Sequence, residues 1–179
     1  MTKRYWLIPV IAVLLFVIGV IGASFLKVLA SARVAATKSS ALSNLKQLSN
    51  AWLMYGSDNN DKTCGTKNWN QDVARYCSAP IEEVIRNPLV TDGSDQRNFG
   101  LNRDLSFIDL TIQDSEANLV VFATTSTPGA NALVSKEMLA PYLQESPWFM
   151  YSGIAGDVRS RVFSNERARL AWQPVRAKK

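Results

Sequence analysis

From Tyr5 to Leu26 the chain runs for 22 residues without a charged side chain, and Leu, Ile, Val and Phe dominate the stretch. An apolar run of that length has few folded destinations. As a helix it extends about 33 Å, against about 30 Å of bilayer hydrocarbon. Pro9 lies one turn inside its start, where backbone amides have no helical partner to lose.

The helical pattern continues past Lys27. No Pro or Gly occurs between Ala23 and Tyr55, and Ala is frequent. Val34, Ala41, Leu45, Leu48, Trp52 and Tyr55 follow one another at a gap of seven and then at alternating steps of four and three. That spacing puts them on one helical face. Lys38, Ser43, Lys46, Gln47 and Asn50 fill the other positions. One helix is predicted from about Tyr5 to Tyr55. Gly56 stands where a left-handed cap is expected, and 57–61 reads as loop.

Ala30-Ser31-Ala32 has the small residues of a signal-peptidase site, and cutting there would release a secreted domain. The apolar run is longer than a usual signal core, Lys27 interrupts the approach, and the periodic pattern crosses the site. An uncleaved anchor is therefore the preferred expectation.

Several segments carry a family resemblance. Leu7-Ile8 near the start is followed by Ser31-Ala32-Arg33-Val34-Ala35, by Ser43-Asn44-Leu45-Lys46-Gln47-Leu48, by Met54-Tyr55 and by Asp58-Asn59-Asn60-Asp61. In this order the chain resembles the type IV pilin-like proteins, especially the pseudopilins of type II secretion. Later segments are similar more loosely: Phe99-Gly100-Leu101-Asn102, a Val/Phe strand and a terminal hairpin. The resemblance implies a long helix packed on a small antiparallel sheet, with a membrane-spanning first half. It also implies an extracytoplasmic domain and assembly with other pilin-like subunits or secretion-machine proteins.

The departures from that pattern lie at the start. Aligned on Leu7-Ile8, the glycine at which prepilin peptidase cuts is replaced by Arg4, and Tyr5 begins the helix. The glutamate position of the family holds Pro9. An Arg at the cut position should block processing. Proline cannot offer the carboxylate that offsets a neighbouring subunit's N-terminal amine. The resemblance thus implies an uncut pilin-like membrane protein.

The formal net charge of +5 hides a division. Residues 1–60 carry six Lys/Arg and one Asp, 61–156 carry seven against twelve, and 157–179 carry seven against two. Both ends are basic and the middle is acidic. By charge alone, Lys27, Arg33, Lys38 and Lys46 after the apolar run outweigh Lys3 and Arg4 before it, which favours a domain inside the cell. Long domains translocate despite such charges, and the resemblance favours the opposite topology. Cys64 and Cys77 are the two cysteines. Thirteen positions apart, in an oxidising compartment they are candidates for a loop-closing disulfide worth roughly 3 kcal/mol. Two Cys and no His give too few soft ligands for a transition-metal site.

Further on, Asp58-Asn59-Asn60-Asp61 offers oxygen ligands, but its spacing does not fit an EF-hand loop, so a solvated cap is expected. Pro80 to Arg86 is predicted as a short helix with Pro at its start and acids in its first turn. Thr91 to Asp95 reads as a turn. A short strand is expected within Asn98–Phe107, the clearest strand is Leu119–Ala123, and Ser135–Leu143 reads as a helical turn. Trp148–Phe163 reads as a hairpin turning at Gly156-Asp157. After Asn165, Arg167, Arg169, Arg176, Lys178 and Lys179 surround Trp172. Such a tail can meet nucleic acid or anionic lipid, but a solvated terminus is the simpler expectation.

No His, nucleophile elbow or phosphate loop is present, and the nearby acids Asp157 and Glu166 read as surface charge. No enzymatic role and no cofactor are expected. The sequence therefore predicts an α+β protein in five parts: a basic leader (1–4), a transmembrane helix (5–26), its amphipathic continuation (27–55), a globular pilin-like domain (56–164) and a basic tail (165–179). Its expected place is the bacterial inner membrane, as a single-pass structural or accessory protein of a secretion or pilus-type machine. The alternatives are a non-assembling membrane-tethered binding domain and a cleaved, secreted binding protein.

Overall fold

A computed structural model describes residues 7–89, 98–112, 119–125, 129–135, 150–153 and 158–160. Its longest element is α1, Leu7–Asp58, an unbroken helix of 52 residues. The chain divides into two compact units, Met1–Thr37 and Lys38–Lys179, and α1 contributes to both.

In the first unit every described side chain of α1 up to Ala36 is exposed. Pro9 is the third residue of the helix, within the turn whose amides need no partner. The arrangement changes in the second unit. Ala41, Leu45, Leu48 and Trp52 are completely buried, and Ser49 and Ala51 broaden the covered face. This is the predicted stripe, shortened at both ends. Val34 remains 49% exposed, because it precedes the point where the second unit begins, and Tyr55 is half-buried.

The end of α1 differs from the expected cap. The helix continues through Gly56 to Asp58. The left-handed residues are Asn60 (φ 56°) and Asp61 (φ 59°). Asn59 supplies the cap: its side chain donates to the Tyr55 carbonyl at 2.7 Å, and its backbone N–H donates to the Gly56 carbonyl at 3.0 Å. Gly56 has a different use. A Cβ there would collide with the Leu110 side chain, so this glycine permits close approach of another segment.

Two short helices follow, α2 (Trp69–Ala74) and α3 (Ile81–Val84). α2 falls in a region that reads as loop in sequence. Trp69 and Val73 stand at i and i+4 and are both fully buried, which is the spacing signal a six-residue helix can carry. α3 starts after Pro80, with Glu82 and Glu83 in its first turn.

Among the described residues the sheet has five strands: β1 (Asn98–Asn102), β2 (Val120–Thr125), β3 (Leu133–Val134), β4 (Met150–Gly153) and β5 (Val158–Ser160), in the order β3-β1-β2-β4-β5. The pairs β1–β2, β2–β4 and β4–β5 are antiparallel, so the terminal hairpin has the expected pairing. The pair β1–β3 is parallel. The sheet is therefore mixed, not antiparallel as the sequence predicts. The two residues of β3 are too few to announce a strand, and they reach β1 on the side away from β2. Gly100 admits this neighbour: a Cβ there would lie 3.0 Å from the Ala132 carbonyl oxygen and 3.0 Å from a Val134 methyl. The Ala132 carbonyl accepts from Leu101 N–H at 3.1 Å.

The core lies between the buried face of α1 and the sheet. Leu45, Leu48 and Trp52 join Phe99, Leu101 and Phe122 in one cluster that also takes in Trp69 and Val84. The Trp69 and Phe122 rings meet at 5.3 Å, tilted by 56°. The architecture is α+β: a long N-terminal helix packed with a small mixed sheet. The expected turn at 91–95, the turn at Gly156-Asp157, the acid pair Asp157 and Glu166, most of the Ser135–Leu143 segment and the basic tail lie outside the described residues.

Candidate functional site

The first candidate site is the bare half of α1. Val10, Val13, Leu14, Leu15, Phe16 and Ile18 are all at least half exposed, and Phe25 and Leu26 continue the surface. They point in every direction around the helix, so no single neighbouring face could cover them. A helix apolar all round belongs in a core or in lipid. This helix is long and apolar enough to cross a membrane, and none of its apolar stretch is buried. Arg4 and Tyr5, the residues at the altered cleavage position, lie outside the described residues, and Pro9 is exposed in the first turn.

The second unit holds polar fixtures that tie segments to α1. Asn44 donates through Nδ2 to the carbonyls of Glu83 and Arg86, at 3.1 and 3.2 Å. These carbonyls lie at the end of α3, where helical partners run out. One turn on, Gln47 Oε1 accepts from the Ser78 hydroxyl at 2.8 Å. Two polar positions of the Asn44-Leu45-Lys46-Gln47 segment therefore fasten residues 78–86, while Leu45 between them enters the core.

An aromatic and charged group surrounds the end of α1. Tyr55 and Tyr76 meet edge to face at 6.2 Å, and the Arg75 guanidinium lies 5.6 Å from the Tyr76 ring centre. The Tyr76 hydroxyl donates to Asp58 at 2.8 Å, a bond that raises its pKa because ionisation would break it and put two anions together. Burial is the main cause that raises Tyr55. Neither tyrosine is poised to give up a proton near neutrality. Asp109 is shifted the other way, held ionised by the hydroxyl and backbone N–H of Thr111.

Sequence reasoning gives no warning of Phe107. It is 72% exposed and adopts φ 52°, a conformation that costs a bulky residue roughly 1–2 kcal/mol. Its neighbours impose that geometry. Thr63 Oγ1 donates to the Leu105 carbonyl at 2.8 Å and accepts from Ile108 N–H at 3.0 Å. The ring rests over Gly65, where a Cβ would lie 2.7 Å from Cζ. The strain is set by contacts across more than forty residues, which explains why no local pattern marks it.

In this structure Cys64 and Cys77, the candidate disulfide pair, are both free cysteines. Cys64 belongs to the core, where burial pushes its pKa up to about 12. Cys77 follows α2 and donates its thiol to the Val73 carbonyl at 3.6 Å. Burial raises its pKa also. Each thiol has a separate place in the packing, one in the apolar core and one on a helical turn. Among the described residues, no three Cys, Asp or Glu side chains gather where they could hold a metal ion. No family model matches this chain, and neither a curated protein nor a solved structure matches it.

Proposed function

We propose that this protein is a membrane-anchored, pilin-like structural or accessory subunit of a bacterial secretion or pilus-type machine, without catalytic activity. The observation that carries the reading is the double use of α1. One unbroken helix is bare and apolar in its first part and forms the spine of an α+β core in its last. Its mechanism is mechanical. The apolar half retains the chain in the inner membrane and offers a surface to other helices. The folded unit, held outside the cytoplasm, presents a recognition surface to pilin-like subunits or to other machine components.

Arg4 and Pro9 favour a second reading. Without the cleavage glycine and the carboxylate, the chain is a non-assembling membrane tether whose folded unit binds envelope partners. The mass and N-terminal sequence of the protein from native membranes test both. A start at Met1 or Thr2 fits the uncut anchor, whereas a start at Tyr5 means that Arg4 is tolerated and filament entry is open. A start at Arg33 overturns the anchor. Co-purification with the ATPase and platform proteins of a secretion machine then separates subunit from tether.

A further inference from the structure

We propose that Lys27 and Arg33 hold anionic phospholipid headgroups where α1 leaves the apolar span. The proposal rests on the membrane-anchor reading above. Lys27 is the first charged residue after the 22-residue apolar run, and Arg33 follows six residues later on the same helix. Both are exposed, and neither makes an ion pair among the described residues. No acidic residue precedes Asp58 anywhere in the chain, so the sequence around them supplies no counter-charge. Two unopposed cations at the end of a membrane span have one abundant neighbour of opposite sign, the phosphate layer.

The helix geometry sets the reach of each. Lys27 follows Leu26 directly, and its aliphatic stem can lie along the apolar helix while the ammonium stays at the phosphates. Arg33 is six residues on, about 9 Å along the axis and roughly 240° around it. It lies within about one Debye length of the level of Lys27 at 0.1 M salt. The two cations thus address lipids on different sides of the helix, and each can attract its own headgroup. The Arg33 fork also suits bidentate contact with phosphate.

The apolar neighbours strengthen the assignment to a lipid surface rather than to a soluble polyanion. Val28 and Leu29 are 64% and 39% exposed, so the turn that carries Lys27 is itself amphipathic. A nucleic acid would leave these side chains in water. Lipid would cover them and meet the charge above them.

The test reconstitutes the full chain in vesicles of zwitterionic phosphatidylcholine and reads lipid contact by electron spin resonance. Spin-labelled phosphatidylglycerol and spin-labelled phosphatidylcholine serve as probes. Lipid at a protein surface gives a motionally restricted component. We expect that component for both probes, with phosphatidylglycerol preferred about threefold at low salt, given that each basic residue near the surface contributes a few-fold attraction. Raising the salt to 1 M should remove most of the preference. Lys27→Gln with Arg33→Gln should at least halve it, and Lys27→Arg with Arg33→Lys should keep it. A preference unchanged by the glutamine pair, or lost instead in Lys3→Gln with Arg4→Gln, overturns the proposal while leaving the anchor intact. Absence of any restricted component overturns the anchor reading, and this proposal with it.

Discussion

The two buried tryptophans of the core provide a sharp test of the packing, because one indole N–H is satisfied and the other is not. Trp69 Nε1 donates to the Ala132 carbonyl at 3.2 Å. Trp52, equally buried, has no hydrogen-bond partner for its Nε1 among the described residues. The indole N–H acts on the Cys64 sulfur as a side-chain donor that favours the thiolate, but its approach falls short of the geometry of a full hydrogen bond. Trp52→Ala should cost about 3–5 kcal/mol, through lost transfer energy and the cavity left behind. Trp52→Phe removes a smaller part of the ring, a loss of about 2 kcal/mol from transfer and cavity together. It also removes an unsatisfied buried donor, which returns about 1–3 kcal/mol. The net change should therefore lie within about 1 kcal/mol of zero. Trp69→Phe has the same ring loss and forfeits a hydrogen bond worth about 1 kcal/mol, so its cost should be about 2–3 kcal/mol. Urea titration of the full chain in detergent micelles, read by pulse proteolysis of the folded unit, measures all three without depending on tryptophan emission. If Trp52→Phe costs as much as Trp69→Phe, the N–H of Trp52 is satisfied in solution and the reasoning fails.

Other consequences follow from single contacts. Asn44→Ala should destabilise the folded unit by about 1–2 kcal/mol, since it removes the donor of the Arg86 carbonyl and leaves the Glu83 carbonyl with the Arg86 N–H at 3.3 Å. Amide exchange should quicken around residues 81–86, and unchanged exchange there would remove the lock from the account. Cys64 has its pKa raised from 9.0 to about 12, so its stabilisation is complete below pH 9 and declines as pH rises toward 12. The slope approaches about 1.4 kcal/mol per pH unit in that window. Cys64→Ala should flatten the curve between pH 9 and 12, and parallel curves for the two proteins would contradict the burial. Gly56→Ala should change stability by less than about 1 kcal/mol. A gain in helix propensity of nearly 1 kcal/mol is set against a rotamer shift of Leu110. A loss of several kcal/mol would mean that Gly56 does adopt a left-handed cap. Asn60→Gly should be neutral or slightly stabilising, because the left-handed residue is there.

The parts of the fold legible in sequence are those whose cause is local or periodic. Leu45, Leu48 and Trp52 announce their burial by three- and four-residue steps, and β2 announces itself by a continuous apolar run. Val34 obeys the same period and is nevertheless exposed, because periodicity identifies a face but not where a neighbour begins to cover it. β3 consists of two residues selected by a tertiary opening at Gly100, so its parallel pairing has no local signature. Gly56 carries the composition of a helix stop, but the chain continues because Asn59 provides the cap three residues later. Cys64 and Cys77 have a spacing that permits a bridge, whereas their separate packing is decided by Trp52, Val73 and the rest of the core. The conformation of Phe107 depends on Thr63, far away in sequence. Of the candidate functional features, the apolar span is legible because composition alone defines it.

The helical state of α1 has a different cause in each of its parts. In the apolar stretch, hydrocarbon surroundings would require every backbone group to be satisfied internally, whatever the order of the side chains. In Ala41–Trp52 the cause is the covered stripe. Between them, 27–37 has neither a buried face nor a place in the charge-free run, and there helix propensity must serve. The stretch contains Ala30, Ala32, Ala35 and Ala36, the residue type with the lowest cost of helix formation. Ser31 and Thr37 turn their hydroxyls back to the carbonyls of Val28 and Arg33, at 2.8 and 2.9 Å. Because helix already exists on both sides, this segment avoids the nucleation cost that defeats short isolated helices. Ala32→Gly and Ala35→Gly together should cost roughly 2 kcal/mol of local helix stability. Both positions are exposed, so the urea midpoint of the folded unit should stay within error of the parent while amide exchange across 27–37 rises about thirtyfold. A fall in the midpoint instead would mean that this stretch is packed against the fold and that its helicity has a tertiary cause.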